Sequence, residues 1–217
     1  MSAGKGEPLP GSPLFRGLRV GLLGGSFNPA HDGHRYVSTE ALRRLGLDEV
    51  WWLVSPQNPL KPVAGMAPLA ERLEEARTAA RHPRIRVTAL EARLGTIWTI
   101  DTVRALGRRF PGTRFVWLMG ADNLVQIPRW RAWSSIFHRV AIAVVARAPY
   151  DSNAVSGKAA RRFAHRQLPA EAARRLVRQP PPAWTFLVLR RHPAAATLLR
   201  ASRAAGPRDG TTRREQP

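Results

Sequence analysis

The chain has 217 residues, of which 44% are hydrophobic, so it can bury one sizeable core and we predict a single domain. It contains no cysteine, which excludes disulfides, thiolate zinc sites and cysteine nucleophiles and is typical of a reducing compartment. The formal net charge is +20, but the basic residues are scattered along the chain without any nucleic-acid-binding motif, so dedicated nucleic-acid binding is disfavoured.

The two ends of the chain have the composition of unstructured segments. Residues 1–16 are rich in Gly, Pro and Ser and are predicted to be a disordered leader, and residues 205–217 a disordered polar tail. No apolar run approaches the length of a membrane span, and the leader lacks the apolar stretch of a signal peptide. We therefore expect a cytoplasmic protein that does not contact a membrane, with its folded domain at 17–204.

The first predicted unit is a strand, a turn and a helix. Residues 18–23 form a short apolar run, which predicts a buried strand. Gly24 and Gly25 then permit positive φ and close approach of a ligand. A helix follows, with His34 in its first turn, because apolar residues recur at helical spacing at Val37, Ala41, Leu42 and Leu45. Free backbone N–H groups at this helix start would favour an anion beside His31 and His34, which predicts a phosphate site.

Strands and helices alternate through the remainder of the chain. Further strands are predicted over 48–54, 84–89, 115–119, 140–146 and 184–189. Helices are predicted over 69–80, 99–110, 157–177 and 197–204, with a short turn or helix over 130–133 and with Thr99 or Asp101 as the cap of the helix at 99. The alternation predicts a doubly wound parallel α/β sheet, which binds ligands beyond the carboxyl ends of its strands. The loops expected at that edge are 24–34, 55–61, 120–123 and Arg147.

The sequence between the first strand and its helix excludes two common phosphate motifs. Neither GxGxxG nor GxxxxGK[ST] occurs there. His31-Asp32-Gly33-His34 stands in their place, and taken alone it fits a phosphate site, a metal site or a helix cap with an exposed imidazole.

A family resemblance chooses among these. GGSFNPAHDGH at 24–34 resembles the signature of the HxGH nucleotidyltransferases, in particular the bacterial nicotinate-mononucleotide adenylyltransferases. Further matching segments follow in order: SPQNPLKP at 55–62, WTIDTV at 98–103, MGADNL at 119–124, IPRWRAW at 127–133, VVARAPY at 144–150 and ATLLR at 196–200. The resemblance covers about residues 18–203 and implies a Rossmann-like nucleotidyltransferase fold.

The resemblance also implies a reaction. In this family an adenylyl group passes from ATP, accompanied by Mg²⁺, to nicotinate mononucleotide, which gives deamido-NAD and pyrophosphate. The attacking phosphate oxygen is already ionised, so the reaction needs positioning and charge stabilisation rather than a general base or covalent nucleophile. Alternatives are an adenylyl- or cytidylyltransferase acting on another phosphate such as phosphopantetheine, which the WTIDT and WRAW segments disfavour, and a basic RNA-binding module.

Site residues follow from the same resemblance. His34 is expected to contact the α-phosphate in the transition state and His31 the outer phosphates. The expected ATP contacts are Gly24, Gly25, Ser26, Phe27, His31, His34, Thr197 and Arg200. The expected contacts with nicotinate mononucleotide are Asn58, Lys61, Thr99, Asp122, Trp130 and Arg147, and no protein ligand to a metal is assigned.

Several of these assignments have plainer alternatives. Lys61 also fits a solvated loop cation, and Asn123 a helix cap. Trp130 is expected to stack on the pyridine ring, and the arginines on either side of it argue against deep burial. Ala195 replaces a serine of the family pattern, which predicts weaker ATP binding through the loss of one hydroxyl.

Overall fold

The computed structural model describes residues 15–57, 65–147 and 153–189. Its strands are β1 (Arg19–Gly25), β2 (Glu49–Val54), β3 (Ile85–Thr88), β4 (Arg114–Gly120), β5 (Ala141–Arg147), β6 (Gln167–Leu168) and β7 (Trp184–Leu189). Its α-helices are α1 (Asp32–Leu45), α2 (Leu69–Ala80), α3 (Leu90–Leu94), α4 (Thr99–Arg109), α5 (Ala121–Gln126), α6 (Trp133–Phe137), α7 (Asn153–Ser156) and α8 (Lys158–Arg162). Short 3₁₀ helices cover Ile127–Arg129, Ala164–Arg166 and Ala170–Arg178.

The strands of the described ranges form one parallel sheet in the order β3-β2-β1-β4-β5-β7-β6. From β1 the chain moves outward to β2 and β3, then returns to the other side of β1 and adds β4, β5 and β7. The order therefore reverses between β1 and β4, where an open parallel sheet has its binding crevice. The predicted doubly wound parallel sheet is confirmed.

Two helical layers cover the sheet. The first layer contains α1, α2 and the 3₁₀ helix 170–178, and it packs on Leu23, Trp52 and Leu118. The second layer contains α3 to α6 and α8, and it packs on Trp51 and Trp117. Because the sheet is buried on both sides, its central strands are mostly apolar, as in β2, where all six residues are buried and Glu49 is the charged one.

Most predicted elements agree with the structure to within two residues, but the helix expected over 157–177 is wrong. This stretch instead forms α8, two 3₁₀ helices and the edge strand β6. Its apolar residues serve different layers, since Ala159 and Phe163 pack in the second layer while Ala173 and Leu176 pack in the first. The chain has to pass around the edge of the sheet between them, which one straight helix cannot do.

The folded part reaches further towards the N-terminus than residue 17. Phe15 is buried, and its ring packs edge-on against Trp51 and Phe110, with centroids 5.4 and 5.8 Å away. Its carbonyl oxygen accepts a hydrogen bond from the Thr113 hydroxyl at 2.7 Å. The remainder of the predicted leader, the helix expected over 197–204 and the polar tail lie outside the described residues. No helix in the described part of the chain is long and apolar enough to cross a membrane.

Candidate active site

The carboxyl end of β1 is the centre of the site, and Gly24 there packs closely against a neighbouring ring. A Cβ on Gly24 would lie 2.8 Å from the Trp117 ring on the neighbouring strand β4, so this position admits no side chain. Neither Gly24 nor Gly25 has a positive φ. The two glycines therefore do not use the positive φ that they permit, and the group that approaches Gly24 closely here is a protein ring, while close approach of a ligand stays a prediction.

The turn that follows β1, residues 26–34, is called the histidine turn below. Phe27 has φ 47°, an unfavourable value for a bulky residue, but its ring is 2% exposed and stacks on Trp52 with centroids 5.0 Å apart. The His34 ring packs on the same phenyl ring at 4.8 Å. Phe27 was expected to line the ATP side. The structure places it beneath His34, where it supports the imidazole.

The two histidines cap α1 reciprocally. His31 is the N-cap residue, and its Nδ1 accepts the Gly33 N–H at 3.1 Å, while His34 Nδ1 accepts the His31 N–H at 3.3 Å. In a neutral imidazole that accepts through Nδ1, the proton resides on Nε2. The cap therefore makes Nε2 a hydrogen-bond donor on both rings, whose centroids lie 4.0 Å apart.

This cap corrects the expectation of free backbone N–H groups at the start of α1. The Gly33 N–H is bonded to the His31 ring, and the His34 N–H donates to the His31 carbonyl oxygen at 2.9 Å. The imidazoles therefore take the place of these amides as donors. The dipole of the 14-residue helix still favours negative charge at this end.

A buried arginine holds the histidine turn from beneath. Arg72 of α2 is 1% exposed, and its Nη1 donates to the carbonyl oxygens of Ser26 at 2.6 Å and Ser55 at 2.7 Å. Its Nε and Nη2 donate to the carbonyl oxygens of Ala67 and Pro56. Burial lowers the pKa of the guanidinium, yet an arginine keeps its charge in proteins. Arg72 thus fixes the turn after β1 relative to the end of β2.

A cleft of about 190 Å³ opens on the other side of the β1 end. Gly24, Gly25 and Ser26 form the wall that it shares with the histidine turn. The remaining lining residues are Ser55, Glu91, Ile97, Trp98, Thr99, Trp117, Asn123, Gln126, Trp130 and Arg131. His31, His34 and Phe27 do not line the cleft, so the site has two parts that meet at the end of β1.

The far wall of the cleft carries aromatic and polar side chains. Trp130 is half-buried, as its arginine neighbours predicted, and Thr99 is the first residue of α4. The predicted cap is wrong, because Trp98 is the N-cap residue of α4 and makes no side-chain cap bond. Arg131 pairs with Asp101 at 3.1 Å, and its Cζ lies 5.9 Å from the centroid of the Trp98 ring.

The carboxyl of Glu91 forms part of the inner wall. Glu91 is 5% exposed, and its Oε1 accepts the Thr102 hydroxyl at 3.0 Å. Burial raises the pKa of this carboxyl to about 7, although the hydroxyls of Thr102 and Ser55 partly offset that effect. A carboxyl of this kind is protonated below about pH 7 and ionised above it.

The loop after β4 contributes one lining residue. Asn123 lines the cleft, and the prediction that it caps the following helix is wrong because Gly120 is the N-cap residue of α5. Asp122 is exposed and lies over Gly120, outside the lining of the cleft. The structure therefore brings Asn123 into the cleft and leaves Asp122 beside it.

The structure does not describe the side chains of the other predicted site residues. Arg147 is the last residue of β5, where its backbone pairs with Leu189 at the carboxyl edge of the sheet. Outside the described residues lie Asn58, Lys61, Ala195, Thr197 and Arg200.

Sequence reasoning missed Arg72, Glu91, Trp117 and Arg131. Each is an ordinary residue of a helix, strand or loop in the sequence, and the chain has 35 basic residues among which Arg72 is not distinguished. Of these four, Arg131 lies inside the IPRWRAW segment, so that segment was the available signal for it.

Comparisons with known proteins place the chain in a family. Residues 22–189 match the family described as cytidylyltransferase-like. A Cereibacter sphaeroides protein named "Probable nicotinate-nucleotide adenylyltransferase" is 54% identical over 183 residues, which are 84% of this chain and 96% of the relative. A protein of the same name from Parvibaculum lavamentivorans is 53% identical over 187 residues, 86% of this chain and 93% of the relative.

Among solved structures, Plasmodium falciparum nicotinic acid mononucleotide adenylyltransferase complexed with NaAD superposes with a TM-score of 0.59. The match covers 79% of this chain and 75% of that one at 14% identity, so it is a likeness of fold. From the family match and the sequence relatives together, the chain belongs to the cytidylyltransferase-like family and, within it, to the nicotinate-nucleotide adenylyltransferases.

Proposed function

We propose that the chain transfers the adenylyl group of ATP to nicotinate mononucleotide, giving deamido-NAD and pyrophosphate, a step of NAD biosynthesis. The observation that carries this proposal is the two-part site at the end of β1. One part presents two imidazole donors at a helix start, and the other is a cleft with Trp98 and Trp130 in its walls. A triphosphate suits the first part and a planar ring the second.

The chemistry requires no protein nucleophile. A phosphate oxygen of the mononucleotide attacks the α-phosphorus of ATP, a new P–O bond forms, and the bond to the β-phosphate oxygen breaks as pyrophosphate leaves. Negative charge grows on the α-phosphate and on the leaving group. We assign His34 Nε2–H to the α-phosphate and His31 Nε2–H to the outer phosphates, with the dipole of α1 adding to both.

The ring and ribose contacts are assigned by position. We propose that Trp130 stacks on the pyridine ring and that Thr99, at the start of α4, contacts the ring carboxylate. Gly24, Gly25 and Ser26 lie between the two substrates. Asn58, Lys61, Asp122 and Arg147 are proposed to contact the mononucleotide, and Thr197 and Arg200 the phosphates of ATP, on the strength of the matching segments.

Mg²⁺ belongs to the ATP substrate in this proposal, because it usually binds through nucleotide phosphates with one or two carboxylates and several waters. The exposed carboxylate of Asp122 is of the type that such an ion accepts. When bound, Mg²⁺ neutralises charge on the phosphates. A cytoplasmic location is proposed on the absence of cysteine from the chain.

Pyrophosphate release tests the proposal directly. The purified chain is incubated with ATP and Mg²⁺ and with nicotinate mononucleotide, its amide or phosphopantetheine. Release with nicotinate mononucleotide supports the proposal. Release with phosphopantetheine alone would assign the chain a different acceptor, and an absence of release with both pyridine nucleotides would refute the assignment.

A further inference from the structure

Glu91 is a buried acid in the wall of the cleft that the proposed chemistry leaves unused. It belongs to α3, and it lines the cleft together with Ser55, Trp98 and Thr99. It is 5% exposed, so the cleft and the protein interior, rather than bulk solvent, are its surroundings.

Its hydrogen-bond partners are poor stabilisers of a negative charge. The Thr102 hydroxyl that donates to Glu91 Oε1 also lies 2.9 Å from the Thr96 hydroxyl and 3.3 Å from the Trp98 carbonyl oxygen. The neighbouring Ser55 hydroxyl donates to the Gln57 carbonyl oxygen at 3.0 Å. Each hydroxyl has one proton to give, so an ionised Glu91 competes with backbone carbonyls for both donors.

No cation among the described residues forms an ion pair with Glu91. On α4, Asp101 pairs with Arg131 at 3.1 Å and with Arg104 at 3.5 Å. On β2, Glu49 pairs with Arg86 of β3 at 3.0 Å. Arg93 is exposed on α3 itself, and Arg131 lines the far side of the cleft. Within the described ranges these charges do not neutralise the carboxyl of Glu91, so its desolvation on burial raises the pKa without an opposing ion pair.

We propose that Glu91 is a specificity-determining residue of the cleft, whose neutral form admits a ring carboxylate and whose ionised form repels it. The proposal rests on the proposed function, because it assumes that the pyridine ring of the mononucleotide occupies this cleft. Glu91 lines the cleft that the ring would enter, and we take the separation of the two carboxylates as on the order of 10 Å. At that separation two like charges near a protein surface change affinity by about tenfold. The amide form of the substrate carries no ring charge and escapes this repulsion.

The test compares the affinities of the two mononucleotides as pH rises. Dissociation constants of nicotinate mononucleotide and nicotinamide mononucleotide are measured by calorimetry between pH 6 and pH 8.5. Both ligands carry the same ribose phosphate. Titration of that phosphate and of the histidines therefore cancels when the dissociation constant of the acid is divided by that of the amide. In the native chain this ratio is expected to rise by about tenfold. In Glu91→Gln it is expected to stay constant, because the amide side chain has no charge to gain.

Two more variants secure the result. Glu75→Gln, on the exposed side of α2, is the matched control and should keep the native curve. Thr102→Val removes a donor that favours the ionised carboxyl, so it should move the midpoint of the rise to higher pH even if Glu91→Gln fails to fold. A constant ratio in the native chain, a native rise in Glu91→Gln, or an unmoved midpoint in Thr102→Val would overturn the proposal. Pyrophosphate release at pH 6 distinguishes failure of the Glu91 proposal from failure of the proposed function. Only failure of the proposed function would abolish release with both pyridine mononucleotides.

Discussion

The histidine turn and the cleft meet at the end of β1 but are built in opposite ways. The hydrogen bonds that orient the histidines join residues two or three positions apart. The cleft draws its lining from Gly24 to Arg131, and its walls meet only after four strands have paired. The part of the site that we propose binds phosphate is therefore encoded locally, whereas the part proposed to bind the ring depends on the whole sheet.

A second difference lies in the buried ionisable group behind each part. Arg72 beneath the histidine turn keeps its charge and donates to backbone carbonyls, whereas burial raises the pKa of Glu91 behind the cleft to about 7. Both stand next to Ser55 at the end of β2. A permanently positive group beside the proposed phosphate part and a partly protonated acid beside the proposed ring part suit the charges of the two proposed substrates.

The largest expected effect concerns Arg72. Arg72→Met leaves the carbonyl oxygens of Ser26, Ser55, Pro56 and Ala67 without their donor, and hydrogen bonds to charged groups are worth more than neutral ones. The free energy of unfolding should fall by about 4 kcal/mol, measured by urea denaturation. Arg77→Met, an exposed arginine of the same helix, should change it by less than about 0.5 kcal/mol. Similar losses of unfolding free energy in both variants would show that the hydrogen bonds of Arg72 do not hold the histidine turn in place.

Removal of His34 tests whether the histidine turn acts on the phosphates while the cleft binds the ring. His34→Ala should lower kcat by about 100-fold, because one donor to the developing charge is lost, while the KM for nicotinate mononucleotide stays near its native value. His165→Ala, an exposed histidine remote in sequence from the turn, serves as the control. Steady-state pyrophosphate release gives both constants, and a melting curve verifies that the variant is folded. A raised KM for the mononucleotide with native kcat would place His34 in the ring part of the site instead.

Glu91 should also leave a signature in the pH dependence of stability. Its pKa is about 7 in the folded chain and near 4.5 when unfolded, so the folded state binds more protons between these values and rising pH destabilises it. This group therefore costs the native chain about 2.5 kcal/mol between pH 5 and pH 8. The stability difference between Glu91→Gln and the native chain should shift by that amount in favour of the variant over this range. Urea denaturation at both pH values measures it, and an unchanged difference would mean that Glu91 ionises normally.

The same contrast explains how much of the molecule is predictable from its sequence. β1 to β5 and β7 follow from short apolar runs, α1, α2 and α4 from helical periodicity, and the histidine turn from one continuous motif, because all of these signals are local. The broken segment 157–177 could not be predicted, because its helical periodicity is local while its division between two layers is a property of the sheet. Glu91 and Arg72 escaped notice for the same reason. Their burial against Thr102 and against the Ser26 carbonyl exists only in the assembled fold.

The smallest expected effect concerns Trp130, and two tryptophans of one segment give a matched pair for it. Trp130→Ala should raise the KM for nicotinate mononucleotide by about tenfold with little change in kcat or in the KM for ATP, since a stacked aromatic ring contributes about 1 kcal/mol and somewhat more with its buried area. Trp133, three residues further on, packs on Phe137 and Phe163 with centroids 6.3 and 6.1 Å away and does not line the cleft. Trp133→Ala should therefore lower the melting temperature and leave the KM for the mononucleotide unchanged. If both variants raised that KM equally, the affinity for the pyridine ring would depend on the stability of the second layer. Stacking by Trp130 in the cleft would then not explain it.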